Sequence, residues 1–468
     1  MINKFTSPRR RDVAWKVQIN HAYLPLKVSL AYLLGTYLLF LIGPFREQAD
    51  NLPLLALFIL SATAMFGIGY HLSIVQSRRY QSFGTDDRTV TPLIRTLILA
   101  GAIWFFVFSL SSLAEYGATS FADVLNAAMN PSASYFGKFD VYAEQQANGR
   151  TNLAIQVSVL TGALYATLIP LTVYFWRGLS FATRAFAVAS VLLYISYFVF
   201  IGTQKGVGDV LVMTVAAFAV SAVSLRKQSP PLQDKRGSRP APKARAWIGL
   251  VSVVLGMGFV GYMANNQGDR LQGLSIEGQF VPDPFVTSIF GEKFSRGLVA
   301  ASYYPTNGYI GLSKNLGVPF EWAGGLGGAP ALASYKTQYV GGTDPMDQSY
   351  PARTEAETGW PAGLLWATIY PWLASDLTFP GAALFMSVAG WFVARMWVGA
   401  HVERDPLSLI LFCQMAIFIA YVPANNQLMT SRYTAIGLFT LLGIYAARNV
   451  TSRIRSSFKA NPARKHVQ

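Results

Sequence analysis

Side chains able to do chemistry gather in one long polar stretch of this chain. The segment YPARTEAETGW (350–360) sets Arg353, Glu355 and Glu357 close together, and Asp376 follows in ASDLTFPGA (374–382). A carboxylate within hydrogen-bond reach can take a proton from a hydroxyl, and an arginine can hold a diphosphate by paired hydrogen bonds. In an extended segment Arg353 and Glu355 point to one face; a solvated loop with structural ion pairs is the plainer alternative. Upstream, residues 295–330 combine Arg296 with Tyr303, Tyr304, Tyr309 and Trp322 among glycines. Such rings stack on the C–H faces of sugars, or they form an aromatic belt at a membrane surface. The turn GTQKGVGD (202–209) places Lys205 between glycines. Glycine lets a backbone approach a ligand closely and a cation suits phosphate, although a tight hairpin with a snorkelling lysine has the same pattern. Arg432, in VPANNQLMTSRYT (422–434), is a further cation or an interfacial anchor.

The chain has no Walker loop, CxxC pair, HExxH or GxSxG. Its histidines are His21, His71, His401 and His466, all expected on the side of the membrane opposite the polar stretch. Neither a histidine base nor a metal cluster is therefore expected beside the carboxylates.

The elements that position these groups are apolar. Of 468 residues, 52% are hydrophobic and 13% charged, against about one quarter charged in a soluble domain. The apolar runs approach the roughly 20 residues that a helix needs to cross a bilayer, and they lack the alternation of barrel strands. The expected fold is an all-α polytopic membrane protein, with spans at 24–44, 52–76, 96–114, 152–176, 185–203, 206–225, 246–264, 380–400, 407–424 and 433–447. The net charge of +15 comes from short basic segments between these runs. They read as topology signals that hold both termini in the cytoplasm, not as a nucleic-acid surface. The organisation expected is an N-terminal bundle (1–225), a Pro-rich cytoplasmic linker (226–245), a single span (246–264), an outward loop (265–379), C-terminal spans (380–447) and a basic tail (448–468). Within the loop, PAGLLWATIYPWLA (361–374) is apolar but short, and it reads as re-entrant or interfacial. Cys413 lies in an apolar run, so no disulfide framework is expected. The first apolar run lacks a small-residue cleavage site and reads as an uncleaved helix.

The strings YYPTNGYIGLSKNLGVPFEWAGGLGG and WATIYPWLASDLTFPGA, together with GTQKG, resemble the Wzy-type polymerases that build O-antigen, capsule and related polysaccharides. The resemblance carries its motifs over about 200–450; the N-terminal half shares only the hydropathy profile. It implies a glycosyltransferase of the bacterial inner membrane, working at the periplasmic face on glycans linked to undecaprenyl diphosphate. Lys205, Arg296, Arg353 and Arg432 would contact the diphosphate. Tyr303, Tyr304, Tyr309 and Trp322 would meet sugars. Glu355, Glu357 or Asp376 would act as base. No cofactor or metal is expected, and the resemblance admits a chain-length regulator as a partner. Lys205 stands where the family usually carries arginine, which makes a point contact of a forked one. The outer segments lack the histidine of the related ligases, which favours polymerase over ligase. A flippase of lipid-linked sugars and a non-catalytic scaffold are the readings from other classes; a flippase would carry charges within its spans.

Overall fold

The computed structural model describes residues 21–77, 89–148, 152–226, 261, 284–363 and 365–460. Every regular element among them is helical. The first half forms α1 (Leu24–Ile42), α2 (Leu52–Ser77), α3 (Pro92–Glu115), α4 (Phe121–Met129), α5 (Pro131–Asn148), α6 (Leu153–Leu160), α7 (Ala163–Phe175), α8 (Phe181–Phe200) and α9 (Lys205–Arg226). The second half forms α10 (Pro284–Phe290), α11 (Glu292–Tyr303), α12 (Asn307–Asn315), α13 (Pro330–Tyr339), α14 (Tyr350–Thr358), α15 (Tyr370–Val398), α16 (Pro406–Tyr421), α17 (Gln427–Thr430) and α18 (Arg432–Ala460). Local sequence starts several of them. The Thr91 hydroxyl accepts from the Ile94 N–H with Pro92 opening the first turn of α3, and Asp405 accepts from the Ser408 N–H at 3.0 Å ahead of Pro406 in α16. A short polar acceptor before a proline satisfies an orphan N–H where proline has none to lose.

The chain is a multi-pass helical membrane protein. Among the described residues, six helices are long and apolar enough to cross a bilayer: α1, α2, α3, α8, α9 and α15 with its extension to Glu403. The expected span at 152–176 is instead α6 and α7, which meet at 67° and bring the number to at most seven. The expected span at 407–424 is α16, with 16 residues, and 433–447 is the front of α18. The linker from 227 onward, the span at 246–264 apart from residue 261, the start of the loop before 284, and the chain ends 1–20 and 461–468 lie outside the described residues.

The connections sort to two ends of the bundle. At one end Lys314 meets Asp50 at 3.4 Å, Lys138 donates to Thr203 at 3.2 Å, Lys205 reaches Gln427, and the Ile369 N–H donates to Val422 O at 3.0 Å. These residues all come from segments expected to share one side. At the other end Trp397 Nε1 donates to His21 O at 3.0 Å, and Arg448 grips both oxygens of Asp405 at 2.7 Å. His71 and His401 lie at that end too, as the sequence implied. Burial raises the Asp405 carboxyl, but its bonds from Arg448 and Ser408 outweigh this and hold it below the usual range.

The described residues of 361–374 form no separate helix. Residues 361–363 and 365–369 are irregular, the latter largely buried, and Tyr370 and Pro371 open the long α15. Gly308 and Gly311 of α12 allow the approach: a side chain at either would strike the backbone of 366–368 or of Pro423. Irregular backbone is stable here because protein covers it. Further on, Thr378 (φ 65°) kinks α15 two residues before Pro380.

Candidate functional site

A cavity of about 870 Å³ opens at the end of the bundle that gathers Lys205 and Arg432. Glycines shape it. A Cβ at Gly162 would collide with Tyr433 O, and one at Gly437 would sit 2.5 Å from Gly162 O. The start of α7 and the front of α18 thus pack backbone to backbone. α6 turns away at this point, and its Asn152, Ile155, Gln156 and Val159 become one wall. Phe108 from α3, with Tyr197 and Phe198 from α8, forms an aromatic wall.

Among the described residues, three cations line the space: Lys138, Lys205 and Arg432. Lys205 opens α9 and Arg432 opens α18, so the positive ends of two helix dipoles lie where these side chains line the cavity. The Lys205 ammonium donates to Gln427 O at 3.2 Å and to Ser431 Oγ, which ties the start of α9 to the residue before Arg432. The Arg432 guanidinium lies 4.6 Å over the Tyr335 ring and donates to Ser334 Oγ at 3.3 Å. Burial pushes the Tyr335 hydroxyl up from its ordinary range, and the nearby arginine opposes that shift. Lys138 lies 3.6 Å over the Tyr135 ring. Two carboxylates among the described residues also line the cavity, Glu115 at the end of α3 and Asp344.

Below the cavity, Asp209 is 1% exposed and accepts from the Tyr165 hydroxyl at 3.1 Å. It lies one helical turn beyond Lys205 and interacts with its charge. The string GTQKGVGD held that signal in its i, i+4 spacing. The same glycines do not face a ligand. Pro131 O and the backbone of Tyr135 cover Gly202, the Phe198 ring covers Gly206 and the Tyr421 hydroxyl covers Gly208.

Lys205 and Arg432, far apart in sequence, are therefore brought together. The other expected residues are not among those lining the cavity. Arg296 pairs with Glu292 at 2.6 Å along α11. Arg353 donates to Pro319 O at 2.7 Å and lies 3.6 Å from Glu321. Residues 350–358 are helical, not extended, so Arg353 and Glu355 point apart, correcting the one-face expectation. Glu355 accepts from the Ala362 N–H at 3.2 Å, and both Glu355 and Glu357 are exposed. Asp376 accepts from the Gly325 and Gly328 N–H groups at 2.8 and 3.0 Å and so holds the glycine-rich turn. Tyr303 packs edge-on against Phe45, Tyr309 is buried with its hydroxyl on Thr36, and Tyr304 packs on Trp366. The faces of Tyr303 and Tyr309 are thus closed to a sugar, because core packing has claimed them. Trp322 stays exposed. Lys138, Glu115 and Asp344 escaped sequence reading, since nothing in their local spacing marks them.

No protein-family model, curated protein or solved structure matches this chain. A recess with cations at two helix starts, two carboxylates and an aromatic wall suits an amphiphile with an anionic head.

Proposed function

We propose that this chain joins oligosaccharide repeat units carried on undecaprenyl diphosphate, at the periplasmic face of a bacterial inner membrane, to build a surface polysaccharide. The observation that carries the reading is the convergence of Lys205 and Arg432 on one cavity with an aromatic wall. In the reaction, an acceptor hydroxyl attacks the anomeric carbon of the donor glycan. The bond from that carbon to the diphosphate oxygen breaks, and the diphosphate leaves with the electron pair. Charge develops on the departing oxygen, where fixed cations stabilise it without reorganising. Lys205, Arg432 and Lys138 supply those cations. The aromatic wall takes the apolar lipid beside its headgroup.

Incubating purified protein with lipid-linked repeat units tests the reading directly. A ladder of polymers with release of undecaprenyl diphosphate is expected; unchanged starting material overturns it. A flippase is the second reading, favoured by one observation: Asp209 is a buried charge within a span. Translocation of the lipid-linked unit across vesicles without any ladder marks that outcome.

The reading also requires the cavity to face outward. Native Cys413 is buried, so cysteines introduced by Val340→Cys and Arg177→Cys report on the two ends separately. An impermeant thiol reagent on intact spheroplasts should label position 340 and spare 177. The reverse pattern puts the cavity in the cytoplasm and removes the reading.

A further inference from the structure

Acceptor attack needs a base, since a sugar hydroxyl is a poor nucleophile until its proton is taken. We infer that Glu115 is that base, an assignment that rests on the polymerase reading above. Two carboxylates line the cavity, and their surroundings differ. Asp344 spends Oδ1 on the Met346 N–H, at 2.9 Å, capping the short helix Pro345–Gln348. Glu115 is not committed in this way. Its Oε2 is buried and has no hydrogen-bond partner among the described residues. A buried oxygen without a donor costs free energy that a bound hydroxyl recovers. Glu115 also ends α3 on the wall beside Tyr116, in the same cavity as Lys205 and Arg432. A base and the cations for the leaving group thus share one space. The carboxylates first singled out by sequence, Glu355, Glu357 and Asp376, do not line it.

The step balances without any co-reactant. The acceptor oxygen forms its bond to the anomeric carbon while its proton passes to Glu115. The carbon–oxygen bond to the diphosphate breaks, and undecaprenyl diphosphate departs with that electron pair. Glu115 then returns the proton to water.

Glu115→Gln keeps the shape of the side chain and removes the base. Polymer formation by this variant should fall about 100-fold to 10,000-fold, the usual share of a general base. Azide separates catalysis from folding, because it carries no proton to remove. Its nitrogen attacks the anomeric carbon, the bond to the diphosphate breaks, and glycosyl azide and undecaprenyl diphosphate form. Glu115→Gln should make glycosyl azide from the lipid-linked donor at the wild-type rate. A near-normal ladder from Glu115→Gln overturns the assignment and leaves the polymerase reading intact. Loss of azide turnover together with the ladder also overturns it, since the residue then serves the fold or donor binding. A wild-type protein that forms neither product overturns the parent reading, and the assignment falls with it.

Discussion

Replacing Arg432 by Ala is expected to lower polymer formation about a hundredfold to a thousandfold, the cost of losing one donor aimed at developing charge. The side chain is already oriented. Its guanidinium lies over Tyr335 and bonds Ser334, while it lines the cavity with Lys205. Little reorganisation is needed when charge appears on the diphosphate oxygen. Lys205→Ala should act in the same direction, and it also frees the Gln427–Ser431 turn from the start of α9. Arg432→Lys should recover part of the loss, because charge remains while the planar fork is gone. Arg177 lies exposed at the opposite end of the bundle, so Arg177→Ala should leave the rate near wild type. The measurement is initial ladder formation from purified lipid-linked repeats. Equal losses at residues 432 and 177 would show that arginines anchor this protein in the membrane instead of serving the reaction.

The second large effect concerns assembly. Gly390→Val should prevent α2 and α15 from packing and abolish the folded, monodisperse protein. These helices touch backbone to backbone: a Cβ at Gly390 falls on Phe66 O, and one at Gly69 falls on Ser387 O, both well inside van der Waals contact. Without a hydrophobic drive inside lipid, such small-residue contacts do much of the association. Inserting even a methylene into a close-packed core costs roughly 1–3 kcal/mol, and here the obstacle is backbone that has no rotamer to change. Gly67 lies on the same α2 helix with nothing within 4 Å of its would-be Cβ. Gly67→Val should therefore be extracted and purified like wild type. Size-exclusion profiles of the two variants in detergent decide the matter; a normal profile for Gly390→Val means that the pair can separate without harm.

Gly67 and Gly69 mark a limit of the sequence: they look alike until α15 is laid across one of them. The same holds for the tyrosines. Tyr303 and Tyr309 read equally as a sugar platform or as a belt, and only packing on Phe45 and Thr36 closed their faces. At 350–358 the extended expectation gives way to a helix. Ser349 caps a helix there, with Pro351 in its first turn and Gly359 at its end, so a period near 3.6 replaced the period of 2.

Hydropathy by itself determined the all-helical membrane fold, because lipid leaves the backbone no other way to pair its polar groups than helices or closed barrels. The spacing of basic segments was enough to sort connections to two ends, and the contacts at Asp50–Lys314 and Asp405–Arg448 respect that sorting. The cavity was decided by tertiary structure alone. It needs α6 turned by 67° at Gly162, α18 pressed against that turn, and Glu115, Lys138, Lys205 and Arg432 delivered by four separate elements. Convergence of this kind depends on how helices cross, and crossing is set by side-chain and backbone packing that leaves no local mark in the chain.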